Sequence, residues 1–269
     1  MAIQPIQVKS ILQKSSLPGA KYVINPYTGC VHGCVYCYAR FMKRFTAHSE
    51  PWGTFLDSKV NAPEVLGQQL KKRKEPVQEP VFFSSVTDPY QTPERKVELT
   101  RKLLEILLAH QVPVSILTKS DLVLRDMDLF KQFDTCTVGL SLMTLDDELA
   151  RRLEPRAASP TRRLRALQRL HENGIRTYAF ISPYLPGLSD IEGLIEALAG
   201  SIDEVGVEAI NIRGGNWVGV EEVLTAHYPQ QLEDCKRFTR DSNTWMELEA
   251  QVNKLAAQYQ IRSMGFFRH

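Results

Sequence analysis

Residues 25–41 read NPYTGCVHGCVYCYARF, which sets Cys30, Cys34 and Cys37 within eight positions and places a tyrosine on each side of the last. The chain holds five cysteines, and the other two, Cys136 and Cys235, stand apart from the group and from each other. An odd count with this distribution argues against a disulfide framework and for a reducing compartment, so the three crowded thiols read as ligands. Thiolates in a C-x3-C-x2-C pattern suit two soft centres, zinc and an iron-sulfur cluster. A structural zinc asks for four closed ligands, and His32 or His48 would complete a Cys3His set. A [4Fe-4S] cluster on three thiolates follows a different logic, because its fourth iron stays open to a second molecule.

Outside this stretch, short strand-length runs alternate with helical ones. PVFFSSV (80–86), VPVSILTK (112–119), TCTVGLSLM (135–143), IRTYAFISPY (175–184) and EAINIRG (208–214) are rich in β-branched and aromatic residues. Between them, residues 92–110 open on Thr92, Pro93 and Glu94 and carry Val97, Leu103, Leu104 and Leu107 on one helical stripe. Residues 159–174 start with Ser159 and Pro160, turn Leu164, Leu167 and Leu170 inward, and stop at Asn173 and Gly174. A further helix covers SDIEGLIEALAGSI, and residues 230–258 hold one or two more. Alternation of this kind predicts parallel strands with right-handed crossovers. With KYVIN (21–25) as the first strand, about six units fit the length, fewer than the eight of a closed barrel. The expected architecture is therefore α/β, a partial (β/α)6 barrel in one domain over 1–269, with a core at about 20–215 and a C-terminal helical extension at about 216–269.

Ligand sites in such folds lie at the carboxyl ends of the strands. The cysteine loop and the polar ends SSVTDPYQ (84–91), TKS (118–120), SLMT (141–144) and ISPYLPG (181–187) are expected at one mouth. The net charge of +2 announces no nucleic-acid binder, and the chain has neither a signal-peptide pattern nor an apolar run of membrane-spanning length. A cytoplasmic monomer without a membrane anchor is the expectation.

The three-cysteine motif with an aromatic before its last member resembles the radical S-adenosylmethionine (SAM) superfamily. More narrowly, NPYTGCVHGC-x-YCYAR, TDPYQ-x-x-E, LTKS and LEPR-x-x-x-P-x-x-R are similar to the spore photoproduct lyase-like branch, the DNA repair photolyase type, over about residues 20–215. The resemblance implies a [4Fe-4S] cluster on Cys30, Cys34 and Cys37, whose open iron is chelated by SAM. It implies reductive cleavage of SAM by an external one-electron donor such as flavodoxin or ferredoxin, and a 5'-deoxyadenosyl radical that abstracts hydrogen from substrate. Lys119 matches the lysine that pairs with the SAM carboxylate. Ser85, Thr87 and Asp88 stand where the superfamily presents a turn to the SAM amino group, and Ser141 where a strand-four residue reaches the ribose or methionine moiety. Tyr36 matches an adenine neighbour, and Tyr38 a tyrosine on the lyase's hydrogen-transfer route.

One departure bears on substrate. The lyase places a hydrogen-donating cysteine before its T-x-D-like turn, where this chain has Ser85, whose O–H bond is too strong for that role. A nucleotide or nucleic acid is the first expectation for the substrate and a peptide or protein side chain the second. The reading from another class is a non-enzymatic, zinc-dependent nucleic-acid-binding module. The basic run KKRK (71–74) is expected to be a solvated helix end, and RRLEPR (151–156) and RRLR (162–165) either to pair with the acidic TLDDE (144–148), the favoured reading, or to meet phosphate at the mouth. Trp217, in IRGGNW (212–217), is expected either to stack on a base or to close the barrel mouth. Cys136 and Cys235 read as buried and inert.

Overall fold

The computed structural model describes residues 3–212 and 215–268; Arg213 and Gly214 of the IRGGNW segment lie outside the described residues. Strand β1 spans Ile3–Ile6, β2 Leu12–Lys14, β3 Tyr22–Ile24, β4 Tyr27–Thr28, β5 Leu56–Lys59, β6 Val81–Phe83, β7 Val114–Thr118, β8 Cys136–Ser141, β9 Arg176–Tyr184, β10 Glu204–Ala209 and β11 Arg262–Phe267. Helix α1 spans Ala62–Lys71, α2 Glu94–Val97, α3 Leu99–Ala109, α4 Met127–Phe130, α5 Asp147–Leu153, α6 Pro160–Glu172, α7 Ile191–Leu198, α8 Asn216–His227, α9 Pro229–Phe238 and α10 Ser242–Gln258. Five strands, β6, β7, β8, β9 and β10, are each followed along the chain by helix, the expected α/β order, while β3 leads first into the short strand β4. Residues divide into two compact units, one of 1–33 and 39–139, the other of 34–38 and 140–269.

In the first unit β3, β6 and β7 pair in parallel and β2 lies antiparallel on β3. Ile24, Val81, Phe83, Val114 and Ile116 are at most 1% exposed and, in register with one another, form one fully buried face, while Phe82, Ser115 and Leu117 on the opposite face are half-buried. A second sheet pairs β5 with β1 in parallel and with β4 antiparallel, which the sequence pattern did not reveal. The helix expected over 92–110 is two helices. Glu94 turns its buried carboxylate onto the first N–H groups of α3, accepting from Leu99 N at 3.0 Å and Thr100 N at 3.1 Å, while Glu98 between them takes a left-handed φ of 53°. A carboxylate that satisfies helix-start donors ends one helix and begins the next. In the KKRK run, Arg73 donates to the Tyr22 hydroxyl at 2.8 Å and its neighbours are exposed at the end of α1, as a helix terminus favours.

In the second unit β10 pairs in parallel with β9 and with β11. Side chains of Asp146, Ser159 and Asp190 cap α5, α6 and α7 at their N-termini, and Gly174, with φ 76°, follows the end of α6. Two expectations are corrected. The sixth strand lies at 204–209 rather than 208–214, because EVGVEA buries Val205 and Val207 completely and brings Gly206 so close to Phe180 that a Cβ there would sit 2.9 Å from the ring. The region 216–269 is not purely helical: after three helices the chain returns as β11 at the sheet edge, where Phe267 packs on Phe180 with ring centroids 5.5 Å apart. Trp217 lies at the rim of an apolar cluster containing Met143, Leu153, Leu224 and Cys235.

Candidate active site

In the first unit, the turn after β6 is stitched to the start of the cysteine loop. The Asn25 side chain, 6% exposed, donates to Ser85 Oγ at 3.1 Å and accepts from Val86 N at 3.0 Å. Thr87 Oγ1 donates to the Gly29 carbonyl at 2.5 Å, and the fully buried Gln91 accepts from Val31 N at 2.8 Å. Gly29 is demanded by its place: φ is 89° and a Cβ would lie 2.6 Å from the Phe55 carbonyl oxygen. Asp88 accepts from Tyr90 N at 2.8 Å, Thr118 Oγ1 at 2.7 Å and Lys119 N at 2.8 Å, and faces His32 Nε2 at 3.3 Å. Burial alone would raise the carboxyl's pKa; the adjacent His32 and the donated hydrogen bonds outweigh it and hold the value down at about 2. Lys119, half-buried, thus has its backbone anchored at the end of β7.

In the second unit, the loop residues 34–38 are gripped by two helices. Val35 N donates to the Leu153 carbonyl at 2.9 Å where α5 ends, and Gly219 of α8 comes so near that a Cβ would sit 3.1 Å from the Val35 carbonyl oxygen. The Tyr36 hydroxyl donates to the Glu154 carboxylate, whose other oxygen accepts from Arg163. Both members of that ion pair are buried, at 2% and 1% exposure. Arg163 also donates to the carbonyls of Ala158 at 2.8 Å and Ser141 at 2.6 Å. The buried stripe of α6 is thus Arg163, Ala166, Leu167 and Leu170, with a guanidinium where periodicity placed Leu164. Arg152 of the RRLEPR run pairs with Glu148 of the acidic segment at 2.5 Å, whereas Arg163 of the RRLR run turns to Glu154. At the strand ends, Ser141 Oγ donates to the Ser182 carbonyl at 3.3 Å and Ser182 Oγ donates to Glu208. Tyr38 is 37% exposed; partial burial of its phenol, then the nearby Glu208 and Cys37, push its pKa upward.

None of the five cysteines is in a disulfide; Cys30 and Cys34 are buried and Cys37 is half-buried. Among the described residues no three His, Cys, Asp or Glu side chains gather into a ready metal-holding group. The fit is one of donor chemistry: three cysteine thiols outside any disulfide on one short loop, whose turns are built by glycines with φ of 89° at Gly29 and 64° at Gly33. Both histidines considered for a zinc site have other engagements. His32 faces Asp88, and His48 bridges Asp57 at 2.8 Å and Glu50 at 3.3 Å while stacking on Phe55. Cys136 and Cys235 have thiols pushed up by burial to about 12, which fits inert packing residues.

Residues 24–198 match the model of the Radical SAM superfamily. The chain belongs to that superfamily. It is an enzyme of the group whose chemistry is the radical cleavage of SAM. The uncharacterized protein MJ0683 of Methanocaldococcus jannaschii is 39% identical over 85% of this chain and 84% of its own. The Radical SAM Nalpha-GlyT isomerase of Pseudomonas phage M6 is 28% identical over 65% of this chain, which spans 36% of that protein. Among solved structures, spore photoproduct lyase complexed with dinucleoside spore photoproduct shares the fold, with TM-score 0.70 at 17% identity over 95% of this chain and 79% of the lyase chain. Among the described residues no helix is long and apolar enough to cross a membrane.

Several residues that organise the superfamily site were not singled out from sequence. Asn25 and Gln91 bind loop backbone, and Glu154 and Arg163 hold Tyr36; all four lie inside the recognised motifs, where their contacts join positions far apart in the chain. Glu208, beside Tyr38, lies in no such motif.

Proposed function

We propose that Cys30, Cys34 and Cys37 hold a [4Fe-4S] cluster beside a SAM site, and that the radical made there abstracts hydrogen from a nucleotide or nucleic-acid substrate. Bound on these thiolates, such a cluster supplies the electron that cleaves the sulfonium S–C5' bond of SAM. Tyr36, steadied by Glu154, lies against the adenine, and Ser141 serves the ribose or methionine moiety. Lys119 pairs its ammonium with the SAM carboxylate, while Ser85 and Thr87 shape the amino-group side. Asp88 belongs to the same wall and acts chiefly through the backbone of Lys119 and the ring of His32, to which its carboxylate is already committed. Tyr38, the most exposed of these groups, faces the substrate. Electrons come from an external donor such as flavodoxin or ferredoxin.

The observation that carries this reading is the hold on the loop backbone within each unit: Val31 N on Gln91, and Val35 N on Leu153. Ligand thiols need such preorganisation. The nucleotide is supported by the lyase of the same fold, solved with a dinucleoside photoproduct. Ser85 argues for a transformation other than that lyase's repair.

Anaerobic reconstitution tests the proposal. Expected are about four irons and four acid-labile sulfides per chain, and release of 5'-deoxyadenosine from SAM with dithionite. Stoichiometric zinc without sulfide, or a fully reduced cluster that leaves SAM intact, would overturn it.

A further inference from the structure

We infer that Arg163 is a positioning residue for SAM, setting Tyr36 through Glu154 and the end of β8 through the Ser141 carbonyl. The inference deepens the proposed function and rests on it. Arg163 is 1% exposed, and each of its three guanidinium nitrogens is bonded: Nε on Ala158 O at 2.8 Å, Nη1 on Ser141 O at 2.6 Å, and Nη2 on Glu154. One of these three bonds leads directly to a residue assigned to SAM, Ser141, and a second reaches another, Tyr36, through Glu154. Glu154 receives the Tyr36 hydroxyl on the oxygen that Arg163 leaves open, so one planar group fixes a side chain of the cysteine loop and the backbone at a strand end.

Burying an ion pair is a poor way to gain stability, because the desolvation cost rivals the attraction and an apolar pair of similar volume often serves as well. Its distinctive property is geometric. A guanidinium presents donors in a rigid fork, so the acceptors it joins keep fixed spacing and direction. A lysine would keep the charge and lose the fork. The core around α6 has no need of such precision, as Ala166, Leu167 and Leu170 complete its buried stripe. Tyr36 and Ser141 do, because a cofactor lying against both feels any change in their spacing.

The test uses full-length protein reconstituted anaerobically, with wild type, Tyr36→Phe, Arg163→Lys and the apolar pair Arg163→Met/Glu154→Leu compared for iron content, thermal midpoint, SAM dissociation constant by equilibrium dialysis, and the change that SAM causes in the electron paramagnetic resonance spectrum of the reduced cluster. Expected are wild-type iron content in the variants, SAM binding weakened about tenfold in Arg163→Lys and in the apolar pair and somewhat less in Tyr36→Phe, and a diminished SAM-dependent spectral change. Wild-type SAM affinity and spectrum in the apolar pair would overturn the inference, since a merely structural pair is replaceable in that way. If the Arg163 variants do not fold, Tyr36→Phe decides: it leaves the ion pair in place, and an unchanged dissociation constant there overturns the inference. Wild-type protein that takes up no cluster or no SAM defeats the proposed function itself, and the inference with it.

Discussion

His32 and Asp88 face each other across 3.3 Å, Nε2 to Oδ2, with side chains 3% and 9% exposed. The contact joins the middle of the cysteine loop to a turn whose other bonds run to Tyr90, Thr118 and Lys119. Asp88→Asn removes the charge and turns one acceptor into a donor facing an N–H. Loss of a buried, multiply bonded carboxylate costs about 3 kcal/mol. Urea unfolding of the variant should show a lower midpoint, and reconstitution a lower iron content; unchanged values in both would remove Asp88 from its role as brace.

The same carboxyl predicts an acid response. Its folded pKa of about 2 lies below the ordinary 3.8, so its stabilisation is complete above pH 3.8 and is lost as pH falls through 2. The amount is on the order of 2 kcal/mol. The gap in unfolding free energy between wild type and Asp88→Asn should therefore narrow from pH 5 to about pH 2. A constant gap would place the effect of the substitution elsewhere.

Alanine at Cys30, Cys34 or Cys37 should abolish the visible absorbance of the reconstituted protein, whereas Cys136→Ala and Cys235→Ala should leave it intact. Cys235 is 1% exposed in an apolar cluster, so its replacement should lower the thermal midpoint by a few degrees, from a loss of about 1 kcal/mol. Loss of absorbance from Cys136→Ala would change the ligand assignment.

Gly29→Ala offers a backbone test. The new methyl meets a carbonyl 2.6 Å away at a φ of 89°, and neither Phe55 backbone nor a left-handed alanine yields cheaply. Destabilisation of about 2 kcal/mol or more and poor cluster uptake are expected. Gly174→Ala, at φ 76° but with open space around its Cβ, should cost only about 1 kcal/mol and leave uptake unchanged.

Ser85→Ala breaks the bond to Asn25 and should weaken SAM binding, with modest loss of 5'-deoxyadenosine formation at saturating SAM. Chromatography of thymidine products from a lesion-bearing dinucleotide should show no efficient repair of spore photoproduct by the wild type. Efficient repair would show that a serine at this position does not exclude the lyase reaction.

Much of this protein is written in short-range signals. The three-cysteine spacing, the Ser159-Pro160 start and Gly174 stop of α6, and the alternation that lays out six strand–helix units depend on neighbours within a turn or a strand, so the residues alone determine them. Tertiary structure decided what those signals leave free. Glu94 divides a helix because its carboxylate is carried into the interior to meet Tyr27, Arg125 and the first amides of α3. β10 takes its register because Gly206 permits close approach of Phe180, the ring on which Phe267 of the C-terminal strand packs. The Tyr36–Glu154 contact joins positions 118 apart. Local preference is blind to such contacts: an arginine on a polar helix reads as a solvent-facing side chain, and only the packed fold, by placing a carboxylate and two carbonyls around it, makes its burial the lower-energy choice.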